Sequence, residues 1–213
     1  MLKLFAAIFM VFALSFYAPP ALSQAVDHSR HQAAAAAIRV TEAEYTPPLS
    51  TVLTERSGRH FTVGELLDTD DPLLLQFIFT TCPTVCPVLS VGFSGLQKRL
   101  THEARPFRLL SISIDPEYDT PEVLAAYAEK FKAGEKWLML TGDLERIRPI
   151  QGAFEAYFGV RKMDHQPLTF IRPSRTGPWR RIAGLPSPAE LYAEYLAART
   201  TKTVAAEQKG DGQ

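Results

Sequence analysis

The sequence has only two cysteines among its 213 residues, Cys82 and Cys86, and no surplus of charge. Lys plus Arg and Asp plus Glu both total 23. That balance removes any electrostatic reason to propose nucleic acid as a partner, and no local basic cluster supplies one. Internal repeats are absent as well, which excludes solenoids and other repeat architectures. What remains, 46% hydrophobic and 22% charged residues, is the composition of an ordinary soluble globular domain.

Charge is also missing from the N-terminus, and there the lack is informative. Lys3 is the only charged residue before Asp27, and an apolar run from Leu4 to Ala18 follows it, closed by Pro19-Pro20 and small residues. This is the layout of a secretory signal peptide, residues 1–25, with a cut after Ser23 or after Ala25. The run is shorter than the ~20 residues a spanning helix needs. The expected location is therefore a bacterial periplasm, soluble after cleavage. The alternative is anchoring to the inner membrane by an uncleaved segment. No cysteine follows the run, so a lipid-modified cysteine anchor is excluded. Residues 26–44, with the Ala33 to Ala37 run, read as a flexible leader, and residues 201–213 as a flexible tail. Residues 45–200 form the domain.

An oxidising compartment allows a structural disulfide between Cys82 and Cys86. A bridge across three residues removes little chain entropy, however, and a domain of this size does not need one. The pair reads as chemical rather than structural.

Between the tails, strands alternate with helices. Leu49 to Thr54 and Arg59 to Thr62 flank Ser57-Gly58 as a hairpin. Leu73 to Phe79 and Arg108 to Ile114 are near-continuous apolar runs, as in central strands covered on both faces. Val88, Leu89, Phe93, Leu96 and Leu100 share one helical face. A second helix is predicted over Pro121 to Phe131, a third strand over Trp137 to Leu140, and a further helix from Asp143 to Tyr157. A hairpin around Gly177 and a helix from Pro188 to about Ala198 close the chain. This order predicts an α/β fold of thioredoxin type: a central mostly parallel sheet, helices on both faces and an N-terminal β-hairpin extension. The cysteines fall where the first core strand meets its helix, the end of a parallel sheet where ligands usually bind. Pro87 suits a first helical turn, which puts Cys86 near the N-cap, where the helix dipole lowers a thiol pKa.

Thr80-Thr81-Cys82-Pro83-Thr84-Val85-Cys86-Pro87 resembles the copper-binding motif of the Sco/SenC family, thioredoxin-like proteins that assist cytochrome c oxidase assembly. Asp115-Pro116-Glu117-Tyr118-Asp119-Thr120-Pro121 and Asp164-His165 resemble its two further elements, in the same order. The resemblance implies copper ligation by Cys82, Cys86 and His165. It also implies delivery of copper to the binuclear centre of the oxidase's copper-bearing subunit, or prior reduction of that subunit's cysteines. Other periplasmic copper carriers and thiol reductants are the further partners it suggests. Two thiolates and an imidazole make a soft site suited to Cu(I). Structural zinc would want four protein ligands, and no third cysteine exists. His60 and His102 sit in polar, turn-like surroundings and read as solvated.

Two positions depart from the family pattern. Thr84 stands where an acidic residue is common. Pro167, directly before a strand, resembles the thioredoxin proline that faces the active-site thiols through a cis peptide bond. A cis Gln166–Pro167 bond would favour the alternative function, a periplasmic thiol–disulfide oxidoreductase using Cys82 and Cys86 as its redox pair. A peroxidase reading fits the surrounding residues less well. A copper carrier would be no enzyme. Finally, cleavage after Ala25 would expose Val26-Asp27-His28, whose amine, amides and imidazole could enclose Cu(II) in a square plane, with His31 three residues on. The plainer reading of Asp27 to His31 is a solvated tail.

Overall fold

The computed structural model describes residues 38–156 and 162–210, the last ten of these by backbone alone. The signal peptide, both proposed cleavage sites, His28 and His31 lie outside the described residues. Among the described residues eight strands form one sheet: β1 (Arg39–Ala43), β2 (Val52–Glu55), β3 (His60–Thr62), β4 (Leu73–Ile78), β5 (Arg108–Ser113), β6 (Trp137–Thr141), β7 (Leu168–Arg172) and β8 (Trp179–Ala183). Among the described residues five α-helices accompany them: α1 (Val63–Leu67), α2 (Val85–His102), α3 (Pro121–Phe131), α4 (Leu144–Ala153) and α5 (Pro188–Gly210).

The strand order is β1-β8-β7-β4-β5-β6-β2-β3. Only the β4–β5 and β5–β6 junctions are parallel; every other pairing is antiparallel. The expected parallel character thus holds at the centre, where helical crossovers join the strands, and gives way to hairpins at both sides. The β2–β3 hairpin is the N-terminal extension and adds to the β6 edge.

All six residues of β4 are buried, because helices cover both faces of the sheet. On one face Phe77 and Phe170 meet Phe154, which closes α4, at ring distances of 6.0 and 5.1 Å. On the other, the Gln76 amide and the Trp137 indole N–H both donate to Ser111 Oγ, at 2.8 and 2.9 Å. Phe93 of α2 packs on Trp137 at 5.7 Å. Helix α3 starts as read, with Pro121 at its first position and the Thr120 hydroxyl accepting from the Val123 amide.

Three expectations change. Residues 39–43, placed in a flexible leader, form edge strand β1, paired along its whole length with β8. Its apolar content is low, so nothing local marks it; the ladder and the packing of Ile38 and Val40 against the core hold it. Helix α5 runs on to Gly210, well into the expected tail. Ala205, Ala206, Glu207, Gln208 and Lys209 are good helix formers. Val88 is exposed, and α2 instead buries Cys86, Leu89, Ser90, Phe93, Leu96 and Leu100. The short helix α1 was not foreseen. It is held by a capping box in which Thr62 and Glu65 exchange hydrogen bonds.

Candidate functional site

Strand β4 delivers the chain from the core to the cysteine loop. The Cys82 amide donates back to the Phe79 carbonyl at 3.1 Å, which turns the chain immediately after the strand. Helix α2 then begins at Val85, and its N-cap residue Thr84 makes no side-chain cap. The acceptor comes from Cys82 instead, whose Sγ takes the Cys86 amide at 3.4 Å. A sulfur thus occupies the place of a capping oxygen, at the positive end of the helix.

This arrangement separates the two thiols. Burial alone would raise the Cys82 pKa, but the amides of Cys86, Thr84 and Val85 and the Cys86 thiol hold it below the ordinary value. Cys86 is 0% exposed against 7% for Cys82, and burial pushes its thiol well up. The sequence pointed to Cys86 as the helix-activated thiol. The structure gives that role to Cys82, because the sulfur one turn earlier faces the free amides while Cys86 turns into the core. Both thiols are free.

Asp119 is fully buried beneath this loop. It accepts from the Thr80 amide at 3.1 Å, the Thr80 hydroxyl at 2.5 Å and the Ser113 hydroxyl at 2.5 Å. Burial raises its carboxyl pKa, and these hydrogen bonds offset part of the rise. Sequence reasoning quoted Asp119 within a motif and missed this anchoring role. The signal was an acid next to the capping threonine, with nothing local to say that it turns inward.

His165 follows a 3₁₀ turn over Lys162–Asp164. Lys162 pairs with Asp115, two residues past the end of β5, and its ammonium lies 5.6 Å from the Phe79 ring centre. The His165 ring meets Phe79 edge-on at 6.3 Å. Burial lowers the imidazole pKa, which the neighbouring Phe77 carbonyl partly counters. Nδ1 of His165 is buried and has no hydrogen-bond partner among the described residues. A neutral imidazole with an unengaged nitrogen fits a metal ligand.

The structure brings Cys82 and Cys86 together and places His165 against Phe79, three residues before Cys82. Among the described residues no three His, Cys, Asp or Glu side chains are arranged to hold one metal ion. The thiols and His165 are therefore not a ready-made ligand set. The described peptide bonds are all trans, Gln166–Pro167 included. The cis bond expected there is not formed: Pro167 only leads into β7, and its carbonyl accepts from the Gly184 amide at 3.0 Å. His60 contacts Thr54 at an exposed position, and His102 ends α2 in the open, both away from the cysteine loop.

A Cys-x₃-Cys loop between the central strand and the first long helix of such a sheet defines a thioredoxin-like protein with a thiol site. Residues 52–198 match the SCO1/SenC family model. The chain belongs to the SCO1/SenC family. It is 40% identical over 70 residues to the SCO1 protein homolog of Bacillus subtilis, covering 32% of this chain and 36% of that one. Its fold matches the copper-bound structure of ScoI from Bradyrhizobium japonicum at a TM-score of 0.57 and 25% identity, over 76% of this chain and 99% of that one. It also matches BsSco, described as a member of the Sco family of cytochrome c oxidase assembly proteins with a disulfide switch. There the TM-score is 0.58 at 23% identity, over 74% and 97% of the two chains. The chain spans 36% to 58% of the length of the first five curated relatives it matches. Among the described residues no helix is long and apolar enough to cross a membrane.

Proposed function

We propose that the protein is a periplasmic copper carrier that takes part in assembling the binuclear copper centre of cytochrome c oxidase. Its cargo is Cu(I), held by Cys82, Cys86 and His165. The observation that carries this reading is the pair of buried, free thiols at the N-terminus of α2, joined by the Cys86 amide on Cys82 Sγ. Helix amides that favour a thiolate also favour a soft metal bound to it. His165 would complete the set through its unengaged Nδ1.

X-ray absorption on the reduced protein loaded with one equivalent of Cu(I) tests this directly. Two sulfur scatterers and one nitrogen are expected, and His165→Ala should lose the nitrogen. Unchanged Cu(I) affinity in Cys82→Ser or Cys86→Ser would overturn the assignment. Mass spectrometry of the secreted protein tests the location, with an N-terminus at Gln24 or Val26 expected. The second case is also the one in which His28 could hold Cu(II).

The unequal thiols favour one further reading, reduction of the oxidase's cysteines. Cys82 thiolate would attack the partner's disulfide, forming a mixed disulfide and releasing one partner thiolate, which takes up a proton. Cys86, giving up its proton, would then attack Cys82 Sγ and release the second partner thiol. The chain ends oxidised and the partner reduced. The trans Gln166–Pro167 bond removes the proline argument for this route.

A further inference from the structure

A feature unrelated to the thiol site lies at the other end of the sheet. Arg172, the last residue of β7, is in register with Leu73, the first of β4, whereas Cys82 follows the last. The length of β4, roughly 17 Å, therefore separates this corner from the thiols. Arg172 borders a cavity of about 600 Å³ between the Tyr45–Leu49 segment, α1 and the ends of β7 and β8. That volume suits a small organic ligand.

Of the four charged residues in its lining, Glu65, Asp68, Arg172 and Arg175, only one is buried. Arg172 is 9% exposed, and its Nη2 donates to the Leu67 carbonyl. Its buried Nε has no partner, and among the described residues it makes no ion pair. A guanidinium carries five N–H donors, and the one on Nε is unused. The other charged residues of the lining are committed. Glu65 accepts the amide and hydroxyl of Thr62 at 2.7 and 2.8 Å, and Asp68 pairs with Arg175 at 2.9 Å. A buried cation without an ion pair is expensive to keep: burial lowers its pKa, and the field of Asp68 counters this only in part.

The remaining walls are apolar. The Trp179 ring centre lies 5.0 Å from the Arg172 guanidinium carbon, Pro47 and Leu67 are buried, and Leu49 stands 58% exposed at the rim. Tyr45 also lines the cavity, and its buried hydroxyl has no partner either.

We propose that this cavity binds a small monocarboxylate with an apolar body, its carboxylate on the guanidinium of Arg172 and its body against Trp179 and Leu49. A carboxylate matches the guanidinium edge side-on with two parallel hydrogen bonds. A dianion such as a phosphate monoester suits the site less, because Glu65 and Asp68 face the same space. The site is separate from the thiols and does not depend on copper.

The test uses reduced, metal-free protein and 4-phenylbutyrate as the probe, followed by tryptophan fluorescence. Trp179 is one of only two tryptophans, and Trp137 is sealed on the opposite face of the sheet. A saturable change is expected at millimolar concentration or below. The neutral 4-phenylbutyramide should bind about tenfold more weakly or worse, as should Arg172→Gln titrated with the acid, since a charge-assisted pair is lost. Phenyl phosphate should also be weaker, and Cys82→Ser should bind the acid like wild type. Equal binding of acid and amide, no saturable signal, or wild-type binding by Arg172→Gln each overturns the proposal. Should Arg172→Gln not fold, the comparison of acid with amide on the wild-type protein decides.

Discussion

Asp119 and Thr80, 39 residues apart in sequence, are joined by two hydrogen bonds that tie the cysteine loop to the end of the neighbouring strand. The carboxylate takes both the amide and the hydroxyl of Thr80 and, through its other contact, the Ser113 hydroxyl of β5. A buried acceptor with three donors cannot be removed without leaving those donors dry. Asp119→Ala should therefore lower unfolding stability by about 3 kcal/mol, read as a shift of the urea midpoint. Thr80→Val, which keeps the amide contact, should cost clearly less. Equal losses would mean that the Thr80 amide and Ser113 contribute nothing.

The two thiols should differ in reactivity. Cys82 faces the amides of the first turn of α2 and Cys86 is sealed in the core, so the thiolate population sits on Cys82. With iodoacetamide at neutral pH, the reduced metal-free protein should be modified at Cys82 about tenfold faster or more than at Cys86. Fragment mass spectra assign the site. Equal or faster modification at Cys86 would restore the expectation drawn from its place near the N-cap.

Gly95 marks the contact between α2 and α5. A Cβ there would sit 2.7 Å from the Cβ and Cγ of Pro188, a rigid ring at the start of α5. Inside a helix, glycine to alanine ordinarily gains about 1 kcal/mol. Here the overlap should reverse the sign, so that Gly95→Ala costs about 1–3 kcal/mol. Gly152 in α4, with nothing within 4 Å of its hypothetical Cβ, is the control and should gain stability as alanine. A gain at both positions would show that α5 yields freely.

Glu103 sets part of the acid stability. Hydrogen bonds from Tyr192 at 2.6 Å, Arg105 at 2.5 Å and Arg99 at 3.0 Å depress its pKa from 4.5 to about 2. A depressed carboxylate stabilises the fold fully above its unfolded pKa and loses that contribution as pH falls toward the folded value. The stability difference between wild type and Glu103→Gln should therefore be constant above pH 5 and shrink between 4.5 and about 2. Urea unfolding across that range checks it; a difference independent of pH would place the effect in packing rather than charge.

The central strands, the two hairpins and helix α3 were legible because their signals are local. Apolar runs such as Leu73 to Ile78 and Arg108 to Ser113 admit no other stable placement than a sheet covered on both faces. Thr120-Pro121 marks a helix start by its own chemistry. The Cys-x₃-Cys spacing likewise located the thiol site without any knowledge of the fold.

Long-range pairing decided the rest. Strand β1 exists because β8 offers it a ladder, and a polar five-residue stretch cannot announce such a partner. The choice of Cys82 over Cys86 as the activated thiol depends on which sulfur the first turn of α2 presents to its amides, a matter of one helical rotation. The bond before Pro167 is trans, although proline itself tolerates either isomer and nothing in the local sequence decides between them. Asp119 and Arg172 became significant only when burial removed water from their charges. Local sequence determined which elements form and where the thiols stand; tertiary packing decided which polar groups lose their solvent, and so which must find a partner.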